Sequence, residues 1–157
     1  MRPINRYLSN KIKASDIKAT DKTIYQIVKD ELDRLGHSAD LNHIDVSEVT
    51  NMDSLFCCDQ YSLDGPGPKY NDLNPDISRW YVSNVEDMWG MFAHCYNFNC
   101  DISGWDVSKV ENMYAMFRGC ENFNQDISRW NTQNVKYHDS MFNDCPIKEE
   151  YKPKFNI

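Results

Sequence analysis

The stretch Asp101–Gln125, DISGWDVSKVENMYAMFRGCENFNQ, is one copy of a repeat that constrains everything else in the chain. A near-copy, DISRWYVSNVEDMWGMFAHCYNFNC, begins at Asp76, and a third, DISRWNTQNVKYHDSMFNDC, begins at Asp126. The starts lie 25 residues apart without slippage. No single copy can bury its own Trp, Met and Phe residues, so the copies must pack on one another. An earlier copy, DLNHIDVSEVTNMDSLFCCD, begins at Asp40, 36 rather than 25 residues before the second. The difference is an eleven-residue insertion containing Gly-Pro-Gly-Pro, which reads as a surface loop over about 60–71.

Aligned, the copies form columns. Leu41, Ile77, Ile102 and Ile127 make one; Ile44, Trp80, Trp105 and Trp130 make another. Val49, Val85, Val110 and Val135 follow, then Met52, Met88 and Met113, and an all-Phe column of Phe56, Phe92, Phe117 and Phe142. Val110, Met113, Met116 and Phe117 are spaced as one face of a short helix or 3₁₀ stretch, and Ser108 with Glu111 fits a capping box. The F-N-x-D-I-S-x-W segment before it reads as a short strand. The fold class expected is therefore an α/β repeat solenoid, leucine-rich-repeat-like, with about 3.5 repeats of 25 residues, each a short parallel strand plus a short helix or 3₁₀ turn. Asn74, Asn99 and Asn124 form a further column, expected to bond backbone amides between turns.

The segment before the repeats holds Ile24, Ile27, Val28, Leu32 and Leu35 at helical spacing. Thr20 or Asp21 is placed to cap this helix, expected over about 21–35, and Gly36 to end it. The expected organisation is an N-terminal cap over 1–39, a repeat array over 40–145, and a C-terminal cap over 146–157, where CPIKEEYKPKF replaces the pattern.

Lys and Arg number 17 against 24 Asp and Glu, a net charge of −7, which argues against a nucleic-acid or anionic-membrane partner. The N-terminal MRPINRYLSNKIKASDIKAT has no apolar run of signal-peptide or membrane length and no lipidation box. A cytoplasmic or virion-associated protein is the expectation, with an extracellular surface as the alternative.

Residues that carry chemistry are scattered. Cys95, Cys120 and Cys145 fall one per repeat and read as small, reduced apolar fillers; Cys57, Cys58 and Cys100 lie off that column and lack metal-site spacing. His37, His43, His94 and His138 share no column, and Asp40, Asp76, Asp101 and Asp126 read as turn or strand-start residues rather than calcium ligands. No catalytic residue, metal site or cofactor is expected, and no enzyme.

Positions that vary while their neighbours stay fixed are not dictated by packing. The residue after the column Met runs Asp53, Trp89, Tyr114, Asp139; those flanking the column Trp include Arg79, Tyr81 and Arg129. Trp89 and Tyr114 are either an exposed aromatic step or a lid folded over the core edge. The candidate contacts are Trp89, Tyr114, Tyr81, Arg79 and Arg129, with the Gly-Pro loop as a second surface.

The pattern D-I-S-x-W-D-V-S-x-V-x-x-M-x-x-M-F-x-x-C-x-x-F-N-x over Asp101–Gln125, with DLNHIDVSEVTNMDSLF before it and CPIKEEYKPKF after it, resembles the BspA-like leucine-rich-repeat surface-protein family. That resemblance covers about Asp40 to Phe155 and implies adhesion to host matrix or other cells. Small forms of this kind also resemble open reading frames of gut bacteria and their phages. The function expected is a non-enzymatic protein–protein interaction module acting on a host protein. The alternative is a structural or adhesion component of a virion or cell surface, in which self-association stays open.

Overall fold

In a computed structural model the chain is described over residues 17–59 and 66–156. The elements among them are few. Strand β1 (Ile17–Lys18) pairs in parallel with β2 (Ile44–Asp45), Ile17 opposite Ile44. Helix α1 spans Ile24–Leu35, and two 3₁₀ turns lie at Pro68–Tyr70 and Glu149–Tyr151.

This overturns the expected fold class. Among the described residues there is one α-helix and one two-stranded parallel pair, and no repeat carries the strand and helix of a leucine-rich-repeat solenoid. The physical reason lies in the turns. Asp101 Oδ1 accepts the Ser103 N–H at 3.0 Å and the Ser103 hydroxyl at 2.7 Å, and Asp106 and Asn112 accept the amides of Ser108 and Tyr114 in the same way. Backbone turns close beside each: Trp105 to Ile102, Val110 to Val107, Met116 to Met113, and Cys120 to Phe117. The D-x-S spacing that reads as a strand start is an Asx turn. The expected capping box is absent too, since the Ser108 amide goes to Asp106 and the Glu111 amide to the Glu86 carbonyl.

Successive repeats are nevertheless joined, through alternate peptides. Met88, Gly90, Phe92 and His94 donate their N–H groups to the carbonyls of Asn112, Tyr114, Met116 and Arg118 at 2.7–2.9 Å. Met113, Ala115, Phe117 and Gly119 repeat the pattern onto Tyr137, Asp139, Met141 and Asn143, and Met52, Ser54, Phe56 and Cys58 onto Asp87, Trp89, Met91 and Ala93. The peptides in between spend their groups on the turns, so these rows show only isolated bridges where a β-ladder would show strands. Keeping alternate peptides aligned requires left-handed backbone at Ser54, Gly90, Ala115 and Ser140, with φ of 55°, 54°, 53° and 57°.

The core is the set of columns. Phe56, Phe92, Phe117 and Phe142 lie ring over ring, with centroids 5.5, 5.5 and 5.9 Å apart, and Phe98 and Phe123 pack beside them. Trp80, Trp105 and Trp130 are buried, and their indole N–H groups donate to the Leu41, Ile77 and Ile102 carbonyls one repeat earlier. Asn99 and Asn124 donate their amides to the side-chain oxygens of Asn74 and Asn99, each at 3.0 Å.

Helix α1 buries Ile24, Val28 and Leu32 and leaves Leu35 exposed. Its N-cap is Thr23, without a side-chain cap, so the capping role expected of Thr20 or Asp21 does not hold. Asp21 instead accepts the Thr50 N–H and hydroxyl at 2.7 Å each and the Asn51 N–H at 3.1 Å. Those amides lie just before the row of aligned peptides in the first repeat; the matching Glu86 and Asp87 amides both use the Thr50 carbonyl. The Asp21 carboxylate stands in for a carbonyl that the first repeat has no predecessor to supply.

Of the expected loop over 60–71, residues 60–65 lie outside the described residues, as do residues 1–16 of the expected N-terminal segment. The end of that loop is not all surface: Tyr70 is fully buried and its hydroxyl donates to Asp33 on α1. Cys58 aligns with His94 and Gly119, off the cysteine column, but its sulfur lies only 3.4 Å from that of Cys95. The thiols of Cys95 and Cys120 donate to the Phe56 and Phe92 carbonyls, and burial pushes both well above the ordinary thiol range.

Candidate partner-binding face

The residue after the column Met is held by two fixtures. The amides of Trp89 and Tyr114 are bound by Asp87 Oδ1 and Asn112 Oδ1, and their carbonyls accept the Ser54 and Gly90 amides of the repeat before. Both side chains leave the backbone from the same point of successive repeats. Their rings lie parallel, with centroids 6.3 Å apart and 7° between planes. Trp89 is 43% exposed, while Met88 beside it is fully buried; Tyr114 is half-buried. Of the two sequence readings, the exposed step describes Trp89, and Tyr114 is its inner, half-covered member. Asp53 and Asp139 occupy the same position in the flanking repeats.

The other sequence-named residues are exposed but are not drawn to this pair by any contact among the described residues. Arg79 reaches Asp40 at 3.7 Å, Arg129 is exposed, and Tyr81 is 63% exposed.

Tyr81 carries a further signal. Its column mates Asp45, Asp106 and Asn131 each accept the amide two residues on, at Ser47, Ser108 and Gln133. Tyr81 has no such acceptor, so this turn gives up a hydrogen bond to display a phenol ring. Tyr137, 58% exposed, does the same in the column of Asp87 and Asn112. Sequence reasoning missed Tyr137; the loss of an Asx acceptor from an otherwise Asx column is the signal that finds it.

The electrostatics are those of an acidic surface. Asp76, Asp101 and Asp126 are held below the usual carboxylate value by the hydroxyls and amides of Ser78, Ser103 and Ser128. On α1, burial pushes Glu31 up, but Arg34 and His43, at 2.6 and 2.7 Å, outweigh it and hold its carboxyl below the ordinary value. Among the described residues no group of three or more His, Cys, Asp or Glu could hold a metal ion, and no helix is long and apolar enough to cross a membrane.

No curated protein and no solved structure matches the chain. A family described as "Mycoplasma protein of unknown function, DUF285" matches residues 29–154, which takes in most of α1, every repeat and the C-terminal segment. The chain belongs to that family.

Proposed function

We propose that the chain is a non-enzymatic protein–protein interaction module, close in kind to the BspA-like proteins, that binds a partner protein across the face carrying Trp89 and Tyr114. The observation that carries this reading is the parallel Trp89–Tyr114 pair, with Trp89 exposed and Tyr114 half-buried on a backbone whose adjacent column residues are completely buried. A folded chain has no packing reason to hold a tryptophan there, and Trp and Tyr supply large contact area at low entropic cost. Tyr81 and Tyr137 support the reading, because each replaces a turn-forming acceptor with an exposed ring. Arg79 and Arg129 are the polar contacts proposed around this face.

The test is affinity capture from lysate of the source organism or its host, comparing wild type with a Trp89→Ala/Tyr114→Ala variant. The expected result is one stoichiometric partner, lost from the variant by at least about tenfold in affinity. Capture of the same partner by both proteins would remove the aromatic pair from the site. Concentration-dependent self-association in place of a partner would favour the structural reading instead.

A further inference from the structure

Each interior repeat hands four N–H groups to the repeat that follows. At the last repeat the same four, on His138, Ser140, Phe142 and Asp144, meet no acceptor among the described residues. Their peptides are fixed, because the carbonyls of Tyr137, Asp139, Met141 and Asn143 are bonded back to Met113, Ala115, Phe117 and Gly119 at 2.7–3.0 Å. In a trans peptide the N–H points opposite to the C=O, so all four donors face away from the preceding repeats. The C-terminal segment passes over this end without taking them. Its Tyr151 carbonyl accepts the Ile127 amide, its Lys154 carbonyl accepts the Thr132 hydroxyl, and its Lys148 amide goes to Asn124. Phe155 covers the His138 ring and Lys152 the Phe142 ring, so the apolar side chains are roofed while the polar row is left open.

We infer that this row is a docking edge for an extended, basic polypeptide segment of another protein, which adds beside residues 137–144 through its own alternate carbonyls. The inference deepens the reading of the chain as a protein-binding module and names a surface other than the aromatic pair. A peptide is the occupant because the three interior junctions show what such a row accepts: the carbonyls of every second residue of a parallel chain. A second copy does not fit. The matching carbonyl row at the first repeat is partly taken, Asp53 by the Tyr25 hydroxyl at 2.5 Å and Cys57 by the Gly67 amide at 3.3 Å. Basic character follows from Asp139 and Asp144, both exposed beside the donors and in no ion pair among the described residues. The guest must also tolerate left-handed backbone at two positions four apart, as the hosts do at Ala115 and Gly119 and at Ser140 and Asp144.

The test is amide hydrogen exchange of the full chain by NMR, with the end-capped synthetic peptide NMYAMFRG as probe. This is the sequence of residues 112–119, which the chain itself seats on the equivalent amides of Met88, Gly90, Phe92 and His94. In dilute free protein the amides of His138, Ser140, Phe142 and Asp144 should exchange freely while those of Met113, Ala115, Phe117 and Gly119 are protected. Saturating peptide should slow the four by about tenfold or more, equally in the Trp89→Ala/Tyr114→Ala variant, and an Asp139→Lys/Asp144→Lys variant should lose the effect. Protection already present in dilute protein, or no slowing at the limit of peptide solubility, would overturn the inference. Slowing by inorganic phosphate alone would make the row an anion site, and slowing with protein concentration alone would make it a self-contact; either overturns the peptide edge. Slowing that survives the double-Lys change would overturn the basic character of the guest. Failed capture with intact peptide slowing would sink the aromatic face and leave the edge standing.

Discussion

Asn99 shows how much one side chain does in these repeats. Its Oδ1 accepts the Asn124 amide at 3.0 Å and the Gln125 side chain at 3.1 Å, while its own amide is bound by Asn74. Replacing it with Ala leaves the Asn124 amide to water and should cost about 1 kcal/mol, or roughly 2–4 °C in Tm. Asn99→Asp keeps the acceptor and should cost less; equal melts for Ala variant and wild type would contradict the ladder. Such residues were legible in the sequence, because a polar side chain recurring at a fixed place in a buried-core repeat has a backbone group to satisfy. The Asp residues were legible only as turn or strand starts. The hydroxyl two residues on settles that choice as an Asx turn, and the D-x-S spacing supplied it, but alternation of apolar residues reads as a strand equally well. Tyr137 was hidden because the role of its column, where Asp87 and Asn112 accept the amide two residues on, shows only in the hydrogen bonds.

The element of this fold is the row of aligned alternate peptides, and its cost is the left-handed residue each repeat must hold. Gly90 and Ala115 occupy the same column at φ of 54° and 53°. Ala115→Gly should therefore stabilise the protein, by up to about 1 kcal/mol, where a glycine in ordinary backbone would weaken it. Gly119 has φ of 71°, and an added Cβ would meet the His94 ring nitrogen at 2.9 Å, so Gly119→Ala should destabilise by about 1–2 kcal/mol. Denaturant melts of the two variants check the sign of each; the same sign in both would contradict the backbone described. Nothing in the residue pattern announces this device, since Ser54, Gly90, Ala115 and Ser140 share only small size. Spacings of three and four therefore read as helix. The apolar columns survived that error because burial depends on which residues recur and not on how the backbone between them bonds. The helix at Ile24–Leu35 was legible for the ordinary reason, an apolar face repeating at helical spacing.

At the scale of the molecule, three junctions and an acidic surface act together. Every row of aligned peptides points its N–H groups toward the C-terminal end, the reverse of an α-helix, whose free N–H groups lie at its N-terminus; this leaves the C-terminal end electropositive at its backbone while Asp139 and Asp144 sit beside it. The acceptor carboxylates set the pH dependence. Asp76, Asp101 and Asp126 lie below their ordinary value of 3.8 through serine hydroxyls and amides; Asp21 does so because Thr50 and Asn51 outweigh its burial. A carboxylate whose folded value is depressed adds stability above its unfolded value, and that stability is lost as pH falls through the folded one. Tm should be flat from neutral pH down to about 5 and fall below about 4; a Tm unchanged at pH 3 would contradict it.

The central claim is that a fixed core carries an aromatic pair the core does not need. A thermal melt followed by circular dichroism tests it, comparing Trp89→Ala/Tyr114→Ala with Phe92→Ala. Phe92 is fully buried among four rings and should cost about 3–5 kcal/mol, lowering Tm by roughly 10 °C. The double variant should lose about 1 kcal/mol, a few degrees at most. A double variant that melts with Phe92→Ala, or fails to fold, would make Trp89 and Tyr114 part of the core and contradict the account.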